Sequence, residues 1–235
     1  MRTIMISGAS RGIGKSIAEK MLLKGHRVSL GVRNPSQLKD TSLDSKNYSN
    51  KQLITCKYEA VDIKTAEDWV NETKSAFGGF DSIIHCAGIF RKTRLIYRDI
   101  ELKDIDELWQ INVLGPWNLT RKAWSELERH KESRIQVLVS MSGKRSKGTL
   151  AGYTASKFAL MGLCETIRNE GWEKGIRITA ICPGWVNTDM AKAVVAISKK
   201  EMTQPEDIAK LSASLLELPN SSIPFELKLN CCLEK

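Results

Sequence analysis

No window of this 235-residue chain approaches the roughly 18 consecutive apolar residues that a membrane-spanning helix needs. A helical membrane protein is therefore excluded. The opening stretch, Met1-Arg2-Thr3-Ile4-Met5-Ile6, runs into glycine too soon for a secretory leader, so a cytoplasmic protein is expected. Histidine is scarce and scattered (His26, His85, His130). The six cysteines (Cys56, Cys86, Cys164, Cys182, Cys231, Cys232) contain no C-x-x-C pair. Neither set has metal-ligand spacing, and cysteines within apolar runs behave as small hydrophobes, so no metal site and no disulfide framework is expected. The net charge of +9 raises the question of nucleic acid, but the basic residues lack aromatic interleaving and any recognisable motif. No nucleic-acid partner is expected. Two basic clusters, Arg91, Lys92, Arg94 and Lys144, Arg145, Lys147, read first as solvated loop charge. Internal repeats and linker-like stretches are also missing, which leaves one domain over residues 1–235.

What is present alternates. Arg2 to Ile6 is a short apolar run that ends at Ser7-Gly8-Ala9-Ser10-Arg11-Gly12-Ile13-Gly14, and a helical pattern (Ile17, Ala18, Met21, Leu22) follows to Gly25. Strand, glycine turn and helix is the context of a dinucleotide fingerprint, here spaced G-x-x-x-G-x-G. Glycines let the backbone turn sharply and approach a pyrophosphate, whose charge suits the amide groups of a helix N-terminus. His26 to Val32 reads as a second strand. NAD-binding folds usually place a carboxylate near its end for the ribose 2′-OH. This chain has Gly31-Val32-Arg33-Asn34 there. Arg33, together with Arg11, could neutralise a 2′-phosphate, which favours NADP(H); the alternative is two arginines facing solvent.

Further strands are expected at Leu53 to Val61, closing on Asp62, at Phe80 to Gly88, at Arg134 to Val139, at Arg177 to Cys182 and at Phe225 to Leu229. Helices are expected at Thr65 to Phe77 with Thr65 as N-cap, at Leu102 to His130, from Tyr153 onward, and after a Thr203 cap. Alternation at this pace implies right-handed crossovers and a Rossmann-type, doubly wound α/β fold: a mostly parallel, seven-stranded sheet with helices on both faces. Pro116 lies four residues after Asn112 and has no N–H, so the Asn112 carbonyl must find another partner, such as a water, or the helix simply kinks. Tyr153 and Lys157 are four apart and share a helix face. An ammonium beside a phenol lowers its pKa from about 10, which would let Tyr153 exchange a proton near neutrality.

In order along the chain, these motifs resemble the short-chain dehydrogenase/reductase family over nearly the whole length. Ser7 to Gly14 is similar to its T-G-x-x-x-G-x-G turn, with Ser7 in place of threonine. Asp62 matches its adenine-contacting aspartate. His85-Cys86-Ala87-Gly88 resembles N-N-A-G, with both asparagines replaced. Asn112, Ser140, Tyr153 and Lys157 match its catalytic set, Ser140 being preferred to Ser142 by its position against strand five. Pro183-Gly184-Trp185-Val186-Asn187-Thr188 is like its P-G-x-V-x-T segment, whose threonine contacts the nicotinamide amide.

The resemblance implies an NADP(H)-dependent oxidoreductase that interconverts a carbonyl and a secondary alcohol. The cofactor would contact Gly8, Ser10, Arg11, Gly12, Ile13, Gly14, Arg33, Asp62, Ala87, Gly88, Asn112, Tyr153, Lys157, Pro183, Gly184, Val186 and Thr188. An epimerase or dehydratase on the same scaffold, or a non-catalytic NADP(H) sensor, are the alternatives. The family also implies a homodimer or homotetramer built on the two long helices, with Trp117, Trp124, Leu127 and Met161 as candidates for an apolar patch. The segment from Asp189 to Met202, where the family keeps a substrate lid, is short, and Pro224 to Cys232 stands where a glycine-rich close is common. The two basic clusters should lie near the pocket mouth, where they could draw in an anionic substrate.

Overall fold

The computed structural model describes residues 1–49, 51–193 and 197–229. Cys231 and Cys232, part of the 189–202 segment and the end of the 224–232 segment lie outside the described residues. Apolar runs too short for helices become strands β1 (Thr3–Ser7), β2 (Arg27–Val32), β3 (Leu53–Lys57), β4 (Ser82–His85), β5 (Ser133–Leu138), β6 (Ile176–Pro183) and β7 (Glu226–Leu229). They form one sheet in the order β3-β2-β1-β4-β5-β6-β7, with every pairing parallel. The expected doubly wound fold is observed.

The helices are α1 (Gly12–Leu23), α2 (Ile63–Phe77), α3 (Leu102–Trp109), α4 (Gly115–Glu128), α5 (Ala151–Gly171) and α6 (Pro205–Glu217). Alternation of side chains along each strand feeds two cores. Ile4 and Ile6 of β1 join Ile17, Met21, Ile208 and Leu216 under α1 and α6. Met5, between them, joins Trp69, Leu119, Leu160 and Ile167 under α2, α4 and α5. Burial on both faces is why the strands read as continuous apolar runs rather than as alternating ones.

The structure corrects several boundaries. β3 ends at Lys57, and residues 58–62 turn toward α2. Asp62, not Thr65, caps α2: its carboxylate accepts the N–H of Lys64 at 2.9 Å. The Thr65 hydroxyl, one turn further on, instead donates to the carbonyls of Glu59 and Asp62. α6 begins after Gln204 with Pro205 in its first turn and no side-chain cap from Thr203; the fixed φ of proline starts the helix without one.

The expected helix from 102 to 130 is α3 and α4 joined by a π-turn at Gln110–Leu114, with Gly115 N–H bonded five residues back to the Gln110 carbonyl. Pro116, unable to donate, follows directly, and the widened turn shifts the register around it. Of the four residues expected to form a patch between copies, Leu127 and Met161 are buried in the core and Trp124 packs against it. Only Trp117 stays exposed, joined on the same helices by Trp109 and Phe158.

Candidate active site

β1 is the point where the strand order reverses, since β2 and β3 lie on one side of it and β4 to β7 on the other. A crevice forms at the carboxyl ends of strands at such a point. Here one long cleft runs across the ends of β1, β2 and β4, and a deeper pocket opens beside it over β5 and β6.

The cleft is lined by Gly8, Ser10, Arg11, Gly12, Ile13, Gly14, Val32, Arg33, Ala87, Gly88 and Thr188. Two positions of its floor have no room for a side chain. A Cβ on Gly8, whose φ is +70°, would lie 2.6 Å from the Ala87 nitrogen, and one on Gly14 would lie 2.4 Å from the Gly8 carbonyl oxygen. Glycine at both positions is thus set by sterics. The first turn of α1 holds no acidic residue, and Arg11 at its N-cap makes no side-chain capping bond. Gly12, Ile13 and Gly14, the first three residues of α1, line the cleft, where an anion-binding helix end would lie. Arg11 and Arg33 both line the cleft. The residues fit a phosphate-bearing dinucleotide.

Asp62 does not line the cleft. As the exposed cap of α2 it lies just past the turn, while Tyr58, Glu59 and Ala60 line the cleft. The end of β3 at Lys57, four residues short of the apolar run's end, makes the difference.

The turn after β4 is braced from two sides, with His85 and Cys86 in place of asparagines. The buried Ser7 hydroxyl accepts the N–H groups of Cys86 and Ala87 at 3.1 and 3.2 Å. Three residues on, the Asn112 side chain takes both polar groups of Ile89. Nδ2 of Asn112 also reaches Ser156 Oγ at 3.2 Å, and Ser156 donates to the Tyr153 carbonyl at 2.8 Å. Asn112 is buried behind the wall rather than in it. Further along the same loop, Thr93 receives the N–H groups of Ala151 and Gly152, through its carbonyl and hydroxyl respectively, which fixes the first turn of α5.

Tyr153 and Lys157 project from that helix into the pocket, and Ser140 faces them from the end of β5. Ser140 has φ 148° and ψ 158°, a region that is essentially glycine's, and side chains held there cost on the order of 1–3 kcal/mol. Its hydroxyl oxygen accepts the Ser142 N–H at 3.0 Å, and its proximity pulls the Tyr153 pKa downward. Phe90 packs edge-on against the Tyr153 ring at 4.9 Å. The Lys157 ammonium donates to the Leu138 carbonyl at 3.2 Å and lies 5.8 Å from the Tyr153 ring centroid.

Both titratable groups are buried. Burial pushes the Tyr153 phenol up to about 12, against the pull of Ser140. Burial also brings the Lys157 ammonium down to about 8. Contrary to expectation, Lys157 does not lower the Tyr153 pKa: the pull downward comes from Ser140, and desolvation, which penalises each charged form, prevails.

Pro183, Gly184, Val186 and Thr188, the segment leaving β6, close the pocket on the far side. Ile89, Phe90, Met141, Leu150, Trp185 and Met190 add apolar wall. Ile89, Phe90, Met141 and Leu150 lie on the two loops expected at the pocket mouth, and Trp185 lies in the P-G-x-V-x-T segment. Among the described residues no cluster could hold a metal ion, and no helix is long and apolar enough to cross a membrane.

A reversing parallel sheet, a glycine-rich turn under a helix N-terminus and a Ser/Tyr/Lys group beside it define a dinucleotide-binding α/β domain. The family model described as short chain dehydrogenase matches residues 2–198, and the chain belongs to the short-chain dehydrogenase/reductase family. It is 35% identical over 231 residues to an agropine synthesis reductase of Rhizobium rhizogenes, a match covering 98% of this chain and 53% of that protein. The chain thus spans about half the length of that relative. An alcohol dehydrogenase from the archaeon Thermococcus sibiricus superposes with TM-score 0.88 at 24% identity over 100% of this chain and 98% of the other. A short chain dehydrogenase from Burkholderia cenocepacia, solved in complex with NADP, gives 0.85 at 25% identity over 97% and 95%.

Proposed function

We propose that this chain is an NADP(H)-dependent oxidoreductase that interconverts a carbonyl and a secondary alcohol, with Asn112, Ser140, Tyr153 and Lys157 as its working set. The observation that carries the reading is the convergence of Ser140, Tyr153 and Lys157 in one pocket beside the glycine-floored cleft. The NADP complex of the Burkholderia cenocepacia relative supports the cofactor class. Arg11 and Arg33 on the cleft wall support the 2′-phosphorylated form.

The bound cofactor would supply a hydride to the carbonyl carbon, two electrons in one step. Gly8, Gly12 and Gly14 would take the pyrophosphate against the N-terminus of α1, with Thr188 and the Pro183–Gly184 turn at the nicotinamide end. Ser140, whose oxygen already accepts from the Ser142 N–H, has its own proton to offer the substrate carbonyl oxygen. Tyr153 gives that oxygen a proton as its negative charge develops, leaving a phenolate that the Lys157 ammonium stabilises. The phenolate is reprotonated from solvent, so one proton and one hydride are consumed per carbonyl. Asn112 acts through the loop it holds, keeping Ile89 and Phe90 where they frame Tyr153.

The exposed Trp109, Trp117 and Phe158 support pairing of two copies along α3–α5. A mass of one chain in solution at micromolar concentration would contradict that pairing.

Tyr153→Phe tests the central assignment. With NADPH and a panel of ketones, turnover should fall by about 10²–10⁴ while the NADPH dissociation constant stays within about two-fold. Retained turnover would remove Tyr153 from the role of acid.

A further inference from the structure

Helix α5 carries Tyr153 as its third residue and has no cap of its own. The first N–H groups of any helix lack partners inside it. Leu150, at the N-cap position, offers no side-chain oxygen and makes no capping bond. The two residues before it, Gly148 and Thr149, are both left-handed, with φ of 71° and 53°. The amides of Ala151 and Gly152 are taken instead by Thr93, on the loop after β4. Its carbonyl accepts the first at 2.8 Å, and its hydroxyl oxygen accepts the second at 2.9 Å. Thr93 is fully buried and lines neither the pocket nor the cleft.

The approach of loop to helix is close enough to dictate a residue on each side. A Cβ on Gly152 would lie 2.7 Å from Thr93 Oγ1 and 3.2 Å from Leu108 Cδ1. Glycine at 152 is what lets the hydroxyl reach the amide. The same loop meets Tyr153 in two further ways. Phe90 packs edge-on against its ring, and Ile89 is held by Asn112, whose Nδ2 also reaches Ser156, the donor to the Tyr153 carbonyl. Ser140 stands on a different element, at the end of β5, so the distance between the two hydroxyls depends on how firmly α5 is seated.

We propose that Thr93 is a positioning residue: by capping α5 from another element it fixes Tyr153 relative to Ser140, and so governs proton transfer without touching substrate or cofactor. This deepens the reductase reading above and rests on it. Helix ends fray, and Tyr153 lies in the first turn, where fraying is felt most. A proton donor must stay within hydrogen-bond reach of its acceptor. A displacement of about 1 Å can cost on the order of 10²-fold in rate. The Thr93 hydroxyl therefore acts on the reaction through the backbone of Gly152, one residue before the acid.

Thr93→Val keeps the shape of the buried side chain and removes the oxygen that binds Gly152, whereas Thr93→Ser keeps that oxygen. With NADPH and a ketone that the wild type reduces, kcat should fall by about ten- to a hundred-fold in T93V. KM and the NADPH dissociation constant should stay within about two-fold, and T93S should keep at least about a third of the wild-type kcat. The seating of Tyr153 is read separately, by fluorine NMR of protein carrying 3-fluorotyrosine at its four tyrosines, the Tyr153 signal being the one lost in Tyr153→Phe. A single sharp Tyr153 signal in wild type and T93S that shifts or broadens in T93V supports the proposal even if no ketone is reduced, and only the reductase reading then fails. An unchanged Tyr153 signal in T93V overturns the proposal. So does an unchanged kcat in an active enzyme, or a loss that T93S shares in full. Should T93V not fold, Gly152→Ala crowds the same contact from the helix side and is judged by the same two measurements.

Discussion

Asn112 and Ile89 are joined by two hydrogen bonds of opposite sense: the asparagine Oδ1 accepts the Ile89 N–H at 2.9 Å, and its Nδ2 donates to the Ile89 carbonyl at 3.0 Å. A side-chain amide thus does for one residue of loop what a neighbouring strand does for a residue of sheet. The loop after β4 is held without strand pairing, which leaves its other edge open to the cleft.

Removing that clamp should be felt first in stability. Asn112→Ala leaves the half-buried N–H and carbonyl of Ile89 to find other partners, at about 1–3 kcal/mol for the unfolding free energy. Urea denaturation with and without NADPH measures it. Because the loop also frames Tyr153 through Phe90, kcat should drop more than the NADPH affinity does.

Cofactor choice should reside largely in Arg33. Arg33→Ala is expected to weaken NADPH binding by about ten-fold, the equivalent of about 1.4 kcal/mol, and NADH binding by less than two-fold. Fluorescence titration of the reduced cofactors distinguishes the two. Equal losses would remove the 2′-phosphate assignment.

Lys157 should cost the fold what it gives the site. Its ammonium is brought from 10.5 to about 8 by burial. Between those values the unfolded chain binds more protons than the folded one, so wild-type stability rises with pH across that window. The slope is up to about 1.4 kcal/mol per pH unit. Lys157→Met should be more stable than wild type near pH 7 by on the order of 1–3 kcal/mol, and inactive. The advantage should shrink as the pH approaches 10.5. Chemical denaturation of both proteins at pH 7, 8.5 and 10 reads the difference directly.

His85 makes the opposite end of the pH scale informative. It is buried, with Nε2 3.0 Å from the Thr120 hydroxyl and no partner for Nδ1 among the described residues, and burial lowers its pKa from 6.5 to about 3. Below 6.5 the unfolded imidazole takes a proton that the folded one refuses, so stability falls as pH falls from 6.5 toward 3. His85→Asn cannot take that proton. The wild-type protein should lose stability over this range faster than the variant, by up to about 1.4 kcal/mol per pH unit. Thermal unfolding at pH 7, 5.5 and 4.5 checks it.

The sequence disclosed those parts of the site whose spacing is local. Tyr153 and Lys157 lie one helical turn apart, and Gly8, Gly12 and Gly14 sit between a strand and a helix; such relations survive without coordinates. The apolar run Leu53 to Val61 reads as a strand closing on Asp62, whereas pairing with β2 extends only to Lys57 and leaves Asp62 at the start of α2. The carboxylate then found the nearest free amides, those of α2. Leu127 and Met161 were misjudged for a related reason: helical periodicity marks which residues share a face but not what that face meets. The loops that carry Phe90 and Trp185 to the pocket are legible in the sequence, but which of their side chains face the cavity is set by the packing of β4 and β6 against their neighbours. Ser7 was noticed only as a substitute for threonine, yet its hydroxyl supplies two of the bonds that position the Cys86–Ala87 turn.

Every strand pairing but one joins strands that follow each other in the chain; the exception is β1 with β4. Two half-sheets, β1–β3 and β4–β7, can therefore each grow by short crossovers, whereas their seam must bring distant segments together against a larger loss of chain entropy. The glycine turn belongs to one half-sheet, and Ala87, Gly88, Ser140 and Tyr153 belong to the other. The cleft is therefore complete only once β4 has paired with β1 and brought the Ala87–Gly88 turn against the glycine turn.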